Sequence, residues 1–159
     1  MAASPALSTQ IATLFGVGRV SVLPGTLASL AALPVGWWLA LVGGWITLLA
    51  GAMWVTLLGI WASGRYAKTA GKKDPSECVI DEVAGQWLAL VPVAFTGRLF
   101  DILAMASAFL LFRFFDILKP WPIYRLQRYS GGLGIMLDDV AAGIAAGAVT
   151  AALVLAKLI

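Results

Sequence analysis

The chain has 159 residues, of which 61% are hydrophobic and 12% are charged, and its mean hydropathy is +0.93. This length suits a single domain, residues 1–159, but the hydropathy is too high for a water-soluble protein and predicts an integral membrane protein. The formal net charge is +3, and the basic residues flank apolar segments without forming a basic domain, which argues against a nucleic-acid partner.

The first half of the chain predicts two membrane helices. The N-terminal segment lacks a basic stretch followed by an apolar run, so we expect no cleavable signal peptide. The first apolar span, 27–42, is short for a complete crossing, and Thr26 or Ser29 is expected to cap it. Gly43-Gly44 predicts a tight turn, after which a second span of ordinary length covers 45–63.

Three more apolar spans alternate with two polar segments. The polar segment 64–80 precedes the third span, which runs from 81 to about 93. The fourth span, 100–118, ends just before a proline, and the second polar segment, 119–137, leads into the fifth span, 139–159. The sequence therefore predicts an all-α, multi-pass membrane protein of about five membrane-associated helices with two polar cytoplasmic loops.

The distribution of charged residues predicts the orientation of the protein. If the N-terminus and the two polar loops share one side, that side holds nine of the eleven basic residues, and the positive-inside rule makes it cytoplasmic. The same side receives seven of the eight acids, all except Asp101. Because charges of both signs converge there, we expect a functional site on the cytoplasmic face of the cytoplasmic (inner) membrane.

Two pairs of adjacent carboxylates, Asp81-Glu82 and Asp138-Asp139, stand at predicted helix starts. Capping of a helix N-terminus accounts for one carboxylate of each pair better than for the second. Adjacent carboxylates at a membrane boundary repel each other and cost desolvation energy, so both pairs together favour a bound cation. Since the chain has no histidine and only one cysteine, Cys78, that cation would be a hard, oxygen-liking metal, with Mg2+ the leading candidate.

A third acidic position, Asp116, lies in an otherwise apolar segment. Arg113 and Lys119 stand three residues to either side of it, so all three side chains share one helical face. This pattern is either an ion ladder at a helix end or a metal or phosphate site recessed below the cytoplasmic surface, and ionisable residues within a membrane favour the second interpretation. If the protein is an enzyme, metal-activated water attacking phosphorus fits these residues best, because serine hydrolysis lacks its histidine base.

Four segments in chain order carry a more specific pattern. They are Leu-Pro-Gly-Thr-Leu-Ala-Ser-Leu at 23–30, the segment 74–85 that ends in Val-Ile-Asp-Glu-Val-Ala-Gly, Phe-Arg-Phe-Phe-Asp-Ile-Leu-Lys-Pro-Trp-Pro-Ile at 112–123, and Gly-Gly-Leu-Gly-Ile-Met-Leu-Asp-Asp-Val-Ala-Ala-Gly at 131–143. Together they resemble the phosphatidylglycerophosphatase A family, and the third segment carries most weight. Ala28 stands where the family usually has glycine, and Cys78 where it usually has an aliphatic residue; neither is a charged position.

The resemblance implies a Mg2+-dependent phosphatase that converts phosphatidylglycerophosphate to phosphatidylglycerol and phosphate in phospholipid biosynthesis. Its partners would be this phospholipid substrate and the bilayer. In this interpretation, metal binding and water activation are assigned to five carboxylates, not all of which need be direct ligands: Asp81, Glu82, Asp116, Asp138 and Asp139. The predicted substrate-binding residues are Arg19, Thr26, Arg113, Lys119 and Arg125.

Three other function classes are less consistent with the sequence. A phospholipid head-group transferase could use the same metal chemistry, but the Asp-Gly-x2-Ala-Arg pattern of the CDP-alcohol transferases is absent. A small cation transporter would need carboxylates near the bilayer midplane and an inverted repeat, whereas the acids here stand at predicted helix ends. A membrane-anchored binding module leaves the acidic pairs unexplained.

Overall fold

The computed structural model describes residues 5–20 and 22–159, and every regular element in this part of the chain is helical. The α-helices are α1 (Pro5–Ala12), α2 (Pro24–Ala70), α3 (Ile80–Phe95), α4 (Ile102–Leu118) and α5 (Gly132–Leu155). Short 3-10 segments cover Val17–Arg19 and Ile123–Arg128. The predicted all-α class is therefore confirmed for the residues that the structure describes.

Helix α2 folds back on itself. Gly43 and Gly44 leave the helical conformation, and Gly44 has a φ of 71°, which glycine adopts without steric cost. The indole of Trp87 donates to the Ala32 carbonyl at 2.9 Å, and a Cβ added at Gly51 would lie 3.2 Å from the same ring. In a straight helix Ala32 and Gly51 would be about 28 Å apart, so the predicted turn is present and reverses the chain.

The two halves of α2, which we call the first arm (24–42) and the second arm (45–70), are followed by helices of unequal length. By length and composition, α2 and α5 are apolar enough to cross a membrane, with mean hydropathies of 1.8 and 1.6. Helices α3 and α4 have 16 and 17 residues, fewer than the roughly 20 that a full crossing usually needs. Membrane association is supported, while five complete crossings stay a prediction.

Helix α3 lies at the centre of the bundle and runs parallel to α5. A Cβ added at Gly143 would meet the backbone oxygen of Gly85, and one added at Gly147 would lie 3.1 Å from the carbonyl oxygen of Leu88. Because both residue numbers increase together along the contact, the two helices start at the same end of the bundle. Small residues such as Gly143 and Gly147 allow this close backbone approach.

Helix α5 begins earlier than the sequence predicted. Its first residue is Gly132, so Asp138 and Asp139 are its seventh and eighth residues and do not stand at its start. Only the first four backbone N–H groups of a helix lack intrahelical partners, which removes capping as an explanation for this pair. The first turn of α5 is closely packed: Gly132 lies against the carbonyl oxygen of Ile60 and Gly134 against that of Tyr129, where larger side chains would clash.

The starts of the other helices also correct the predicted caps. Helix α2 begins at Pro24, so Thr26 and Ser29 lie inside the helix and do not cap it. Proline suits the first turn of a helix because its φ is already helical and its missing N–H would have no partner there. Helix α3 has no side-chain cap at its N-terminus, although the Asp81 carboxylate accepts the Glu82 N–H at 3.0 Å.

Candidate active site

Three helices bring carboxylates together at one end of the bundle. Glu82 is in the first turn of α3, Asp116 in the last turn of α4 and Asp139 in α5. Each offers one carboxylate oxygen, and these oxygens lie within 4.8 Å of one another. The exposed fractions of the three residues are 7%, 7% and 3%. We call these residues the carboxylate triad; buried and composed only of oxygen donors, it has the chemistry that a hard divalent cation requires.

Arg113 joins two members of the triad. Its Nη1 forms an ion pair with Glu82 Oε2 and a second ion pair, of 3.0 Å, with Asp116 Oδ2. The same nitrogen donates to the hydroxyl oxygen of Ser29 at 3.3 Å. Because Glu82 belongs to α3 and Ser29 to α2, the predicted ladder on α4 is one part of a network that links three helices.

Lys119 is the second basic residue of this network. It follows α4 in a left-handed conformation and forms ion pairs with Asp138, with Asp116 at 3.5 Å and with Asp139 at 3.7 Å. Burial alone lowers the pKa of the Lys119 ammonium, but the charges of Asp139 and Asp138 outweigh this effect and leave the pKa above its ordinary value. Lys119 is therefore cationic at neutral pH.

The network holds more acidic than basic groups. Two cationic side chains, Arg113 and Lys119, lie among five carboxylates, and Asp138 Oδ1 is buried without a hydrogen-bond partner among the described residues. Uncompensated buried charge is costly, so this arrangement favours further positive charge. A divalent cation at the carboxylate triad would supply it, and the all-oxygen donor set is consistent with Mg2+.

A cavity of about 370 Å3 opens onto the carboxylate triad. Its wall contains the triad, Asp81, Lys119 and part of the loop before α3, including Asp74. Gly25 also lines it: a Cβ at this position would clash with the Glu82 carboxylate, so glycine allows the start of α2 to approach the site. The cavity is thus open and lined by groups of both charges, as a site for a phosphate ester would be.

The site also contains three polar residues that the sequence analysis did not assign to it. Ser29 is fully buried and donates to Glu82 Oε2 at 2.7 Å, and Gln127 donates through Nε2 to Asp138 Oδ2 at 3.0 Å. Asp74 lies at the exposed mouth of the cavity, where partial desolvation and the nearby Asp138 charge raise the pKa of its carboxyl group. Ser29 stands inside one of the four family-like segments; Gln127 lies between two of them and had no sequence signal.

Three of the predicted substrate-binding residues are outside the network. The Arg19 guanidinium lies over the Tyr66 ring at 5.9 Å, and that of Arg125 lies over the Trp121 ring at 5.8 Å. Thr26 is half-buried in α2 and does not line the cavity, although its neighbour Gly25 does. Substrate binding by these three residues stays a prediction.

The known proteins to which this chain is similar are named as lipid phosphatases. The family model described as "Phosphatidylglycerophosphatase A" matches residues 10–154. The chain is 36% identical over 135 residues to Phosphatidylglycerophosphatase A of Escherichia coli, covering 84% of this chain and 76% of the relative. It is 39% identical over 136 residues to the protein of the same name from Haemophilus influenzae, covering 84% and 80%.

A further relative carries a different name. The chain is 35% identical over 146 residues to a Bacteroides thetaiotaomicron protein named "Putative phosphatidylinositol-3-phosphatase", and the match covers 87% of each chain. No solved structure matches this chain. The names of the three relatives have a lipid phosphate monoester in common and differ in the lipid head group.

Proposed function

Because this chain belongs to the phosphatidylglycerophosphatase A family, as its four segments predicted, we propose that it hydrolyses phosphatidylglycerophosphate to phosphatidylglycerol and inorganic phosphate. The observation that carries this proposal is the buried carboxylate triad beside Arg113 and Lys119, at the wall of an open cavity. The reaction adds one water molecule across the terminal phosphate ester. The phosphorus–oxygen bond to the lipid breaks, and the glycerol oxygen leaves as a hydroxyl group.

We assign the carboxylate triad to metal binding, with Asp138 and Asp81 beside it. Mg2+ is the cation we propose, because it prefers carboxylate oxygens and often keeps several waters. When bound, such an ion supplies charge neutralisation at the phosphate and lowers the pKa of water. The remaining steps are carried by side chains of the protein.

Two basic side chains suit binding of the phosphate group. Lys119 lines the cavity and presents an ammonium group with three donors, so we propose that it contacts the phosphate directly. Arg113, on α4, holds Glu82 and Asp116 in place through ion pairs. Its planar guanidinium is well suited to a two-point contact with a phosphate group. Both side chains would lower the energy of negative charge that develops during hydrolysis.

Asp81 is our candidate general base. It lines the cavity, and its Oδ1 accepts the Glu82 N–H, which leaves Oδ2 to accept the proton of the attacking water. Ser29 and Gln127 are proposed positioning residues, because they donate to Glu82 and Asp138 and thereby fix the orientation of these carboxylates.

An assay of phosphate release tests the proposed function. The purified protein is offered phosphatidylglycerophosphate, phosphatidic acid and phosphatidylinositol 3-phosphate in matched detergent micelles with Mg2+. We expect the highest kcat/KM for phosphatidylglycerophosphate. A higher value for the inositol lipid would transfer the assignment to the activity in the name of the Bacteroides relative, and no release from any of the three would overturn the proposal.

We also propose that the site faces the cytoplasm, as the positive-inside rule predicts. Cys78 in the loop before α3 is a poor probe of this orientation, because the residue is 6% exposed and burial raises the pKa of its thiol above the ordinary value. Lys72 is a better position, since 60% of its side chain is exposed in the same loop. The corresponding variant is Lys72→Cys in a Cys78→Ala background.

A membrane-impermeant maleimide is expected to label Lys72→Cys in inverted vesicles and not in intact cells. Lys157→Cys, at an exposed position beyond the end of α5, is the matched control and should give the opposite pattern. Efficient labelling of Lys72→Cys in intact cells would place the active site on the outer face and contradict the proposed orientation.

A further inference from the structure

A second cavity, apolar and open to the side, lies between the first arm of α2 and α4. Its volume is about 480 Å3, and all of its lining residues are apolar. Leu30 and Leu33 form one wall, and Met105, Ala106 and Phe109 form the other. We call this cavity the lateral groove. In a protein associated with a membrane, a groove of this kind faces the acyl chains of the bilayer.

The lateral groove lies below the active-site cavity on the same two helices. The active-site cavity uses Gly25 of the first arm and Asp116 of α4. With a helical rise of about 1.5 Å per residue, Leu30 is about 8 Å beyond Gly25, and Phe109 is about 10 Å from Asp116 along its helix. Both walls of the groove therefore continue from the walls of the active-site cavity, in the direction away from the loops.

A polar contact marks the boundary between the two cavities. Ser29 directly precedes Leu30 on the first arm, and Arg113 is one helical turn after Phe109 on α4. The Arg113 Nη1 lies 3.3 Å from the Ser29 hydroxyl oxygen and also pairs with the carboxylate triad. The lining therefore changes from ionic in the active-site cavity to apolar in the lateral groove at the level of Ser29 and Arg113. This change matches a molecule with a charged head group and an apolar chain.

The far end of the groove is held by a tryptophan. The Trp37 indole donates to the Leu99 carbonyl oxygen at 2.9 Å and packs edge-on against the Phe100 ring, with ring centroids 5.8 Å apart. Leu99 and Phe100 both line the groove. This contact ties the first arm of α2 to the start of α4, so the groove has a defined length as well as a defined width.

We propose that the lateral groove binds one acyl chain of the phospholipid substrate; this inference rests on the proposed function. The bilayer is as apolar as the groove, so the groove adds little affinity for the chain. Its effect is on geometry: a chain held between Leu33 and Phe109 aligns the attached phosphate with the carboxylate triad. Correct alignment of reacting groups contributes strongly to rate, and small displacements are costly.

The first test fills the groove. Ala106 is an exposed lining residue, so Ala106→Phe occupies the groove without overpacking the core. We expect kcat/KM for dioleoyl phosphatidylglycerophosphate to fall about tenfold, and that for the dihexanoyl lipid, whose six-carbon chains fill less of the groove, to fall much less. The matched control is Ala31→Phe, at an exposed position on the first arm that does not line the groove; it should leave both values unchanged.

The second test measures binding without turnover. A phosphatidylglycerophosphate carrying a diazirine near the end of one acyl chain is photolysed with the protein in chelator, and the adducts are mapped by mass spectrometry. We expect adducts within 99–109 in the wild type and in Ala31→Phe, and their loss in Ala106→Phe. A phosphatidylcholine with the same diazirine chain should label this segment far less.

The outcomes separate the two proposals. The acyl-chain assignment would be overturned by equal losses of kcat/KM with long and short chains, or by unchanged kcat/KM values in Ala106→Phe. Equal labelling by phosphatidylcholine would also overturn it, because it would show that the groove contacts only bulk lipid. No phosphate release by the wild type from either lipid would overturn the proposed function; the crosslinking pattern then decides by itself whether the groove binds the chain.

Discussion

Neutralising one member of the carboxylate triad is expected to reduce phosphate release by about a thousandfold or more. The variants are Glu82→Gln, Asp116→Asn and Asp139→Asn. Each replaces a charged oxygen donor by a neutral amide of nearly the same size, so packing at these buried positions is retained. The charge that holds a divalent cation is lost, and kcat should therefore fall while the protein still inserts and purifies as a folded species.

Asp101→Asn provides the matched control for these variants. Asp101 caps α4 by accepting the N–H groups of Leu103 and Ala104 at 3.0 and 3.2 Å, and it pairs with Arg98 at 3.2 Å. Asparagine caps a helix about as well as aspartate, so this variant should keep near-normal activity and stability. Normal turnover in all three triad variants, with folding verified by circular dichroism and gel filtration, would remove the triad from the mechanism.

Asp81→Asn and Asp138→Asn distinguish supporting carboxylates from the triad. Asp81 is the proposed general base, so its loss should lower kcat by about a hundredfold or more, with cation binding retained. Asp138 pairs with Lys119 and accepts from Gln127, and its loss should chiefly displace Lys119 and raise KM for the lipid. Loss of cation binding in either variant would instead make that residue a direct ligand.

Removal of divalent cations is the second change expected to have a large effect. Treatment with EDTA should lower phosphate release to the background rate, and an excess of Mg2+ should restore it. The physical reason is the excess of carboxylates over basic side chains around the cavity, which repel both one another and an incoming phosphate ester unless a cation is bound. Full activity in chelator would contradict the proposed metal dependence.

A binding measurement gives this prediction a readout other than turnover. Ligands that bind only the folded state raise its thermal stability, so Mg2+ should raise the Tm of the wild-type protein in detergent. Asp116→Asn should show a much smaller rise, whereas Asp101→Asn should respond like the wild type. Equal shifts in all three proteins would indicate that Mg2+ binds elsewhere, for example at the detergent or the protein surface.

Much of the site could be predicted from the sequence because its chemistry is concentrated in a few charged residues. In a chain so poor in charge, Asp81-Glu82, Asp138-Asp139 and Asp116 are conspicuous, and the spacing of Arg113 and Lys119 about Asp116 is a local property of one helix. The all-α class and the turn at Gly43-Gly44 are likewise local consequences of apolar runs and glycine. The family followed from four segments in chain order, three of which contain charged residues.

The tertiary structure alone decided which of these residues meet. The parallel contact of α3 and α5 at Gly85 and Gly143 brings Glu82 level with Asp139, and no local pattern encodes that contact. Neighbouring side chains on a helix point about 100° apart, so Glu82 and Asp139 enter the triad while Asp81 and Asp138 lie beside it.

Contacts between separate segments also selected the partners of the carboxylates. Ser29 donates to Glu82 from 53 residues away in sequence, and Gln127 donates to Asp138 from 11 residues away. Arg19 and Arg125 instead lie over aromatic rings outside the network. The sequence by itself therefore determined the helical class, the family and the ionic groups that a site would use. The arrangement of those groups depended on contacts between helices, because hydrogen bonds and ion pairs require separations that only the folded bundle defines.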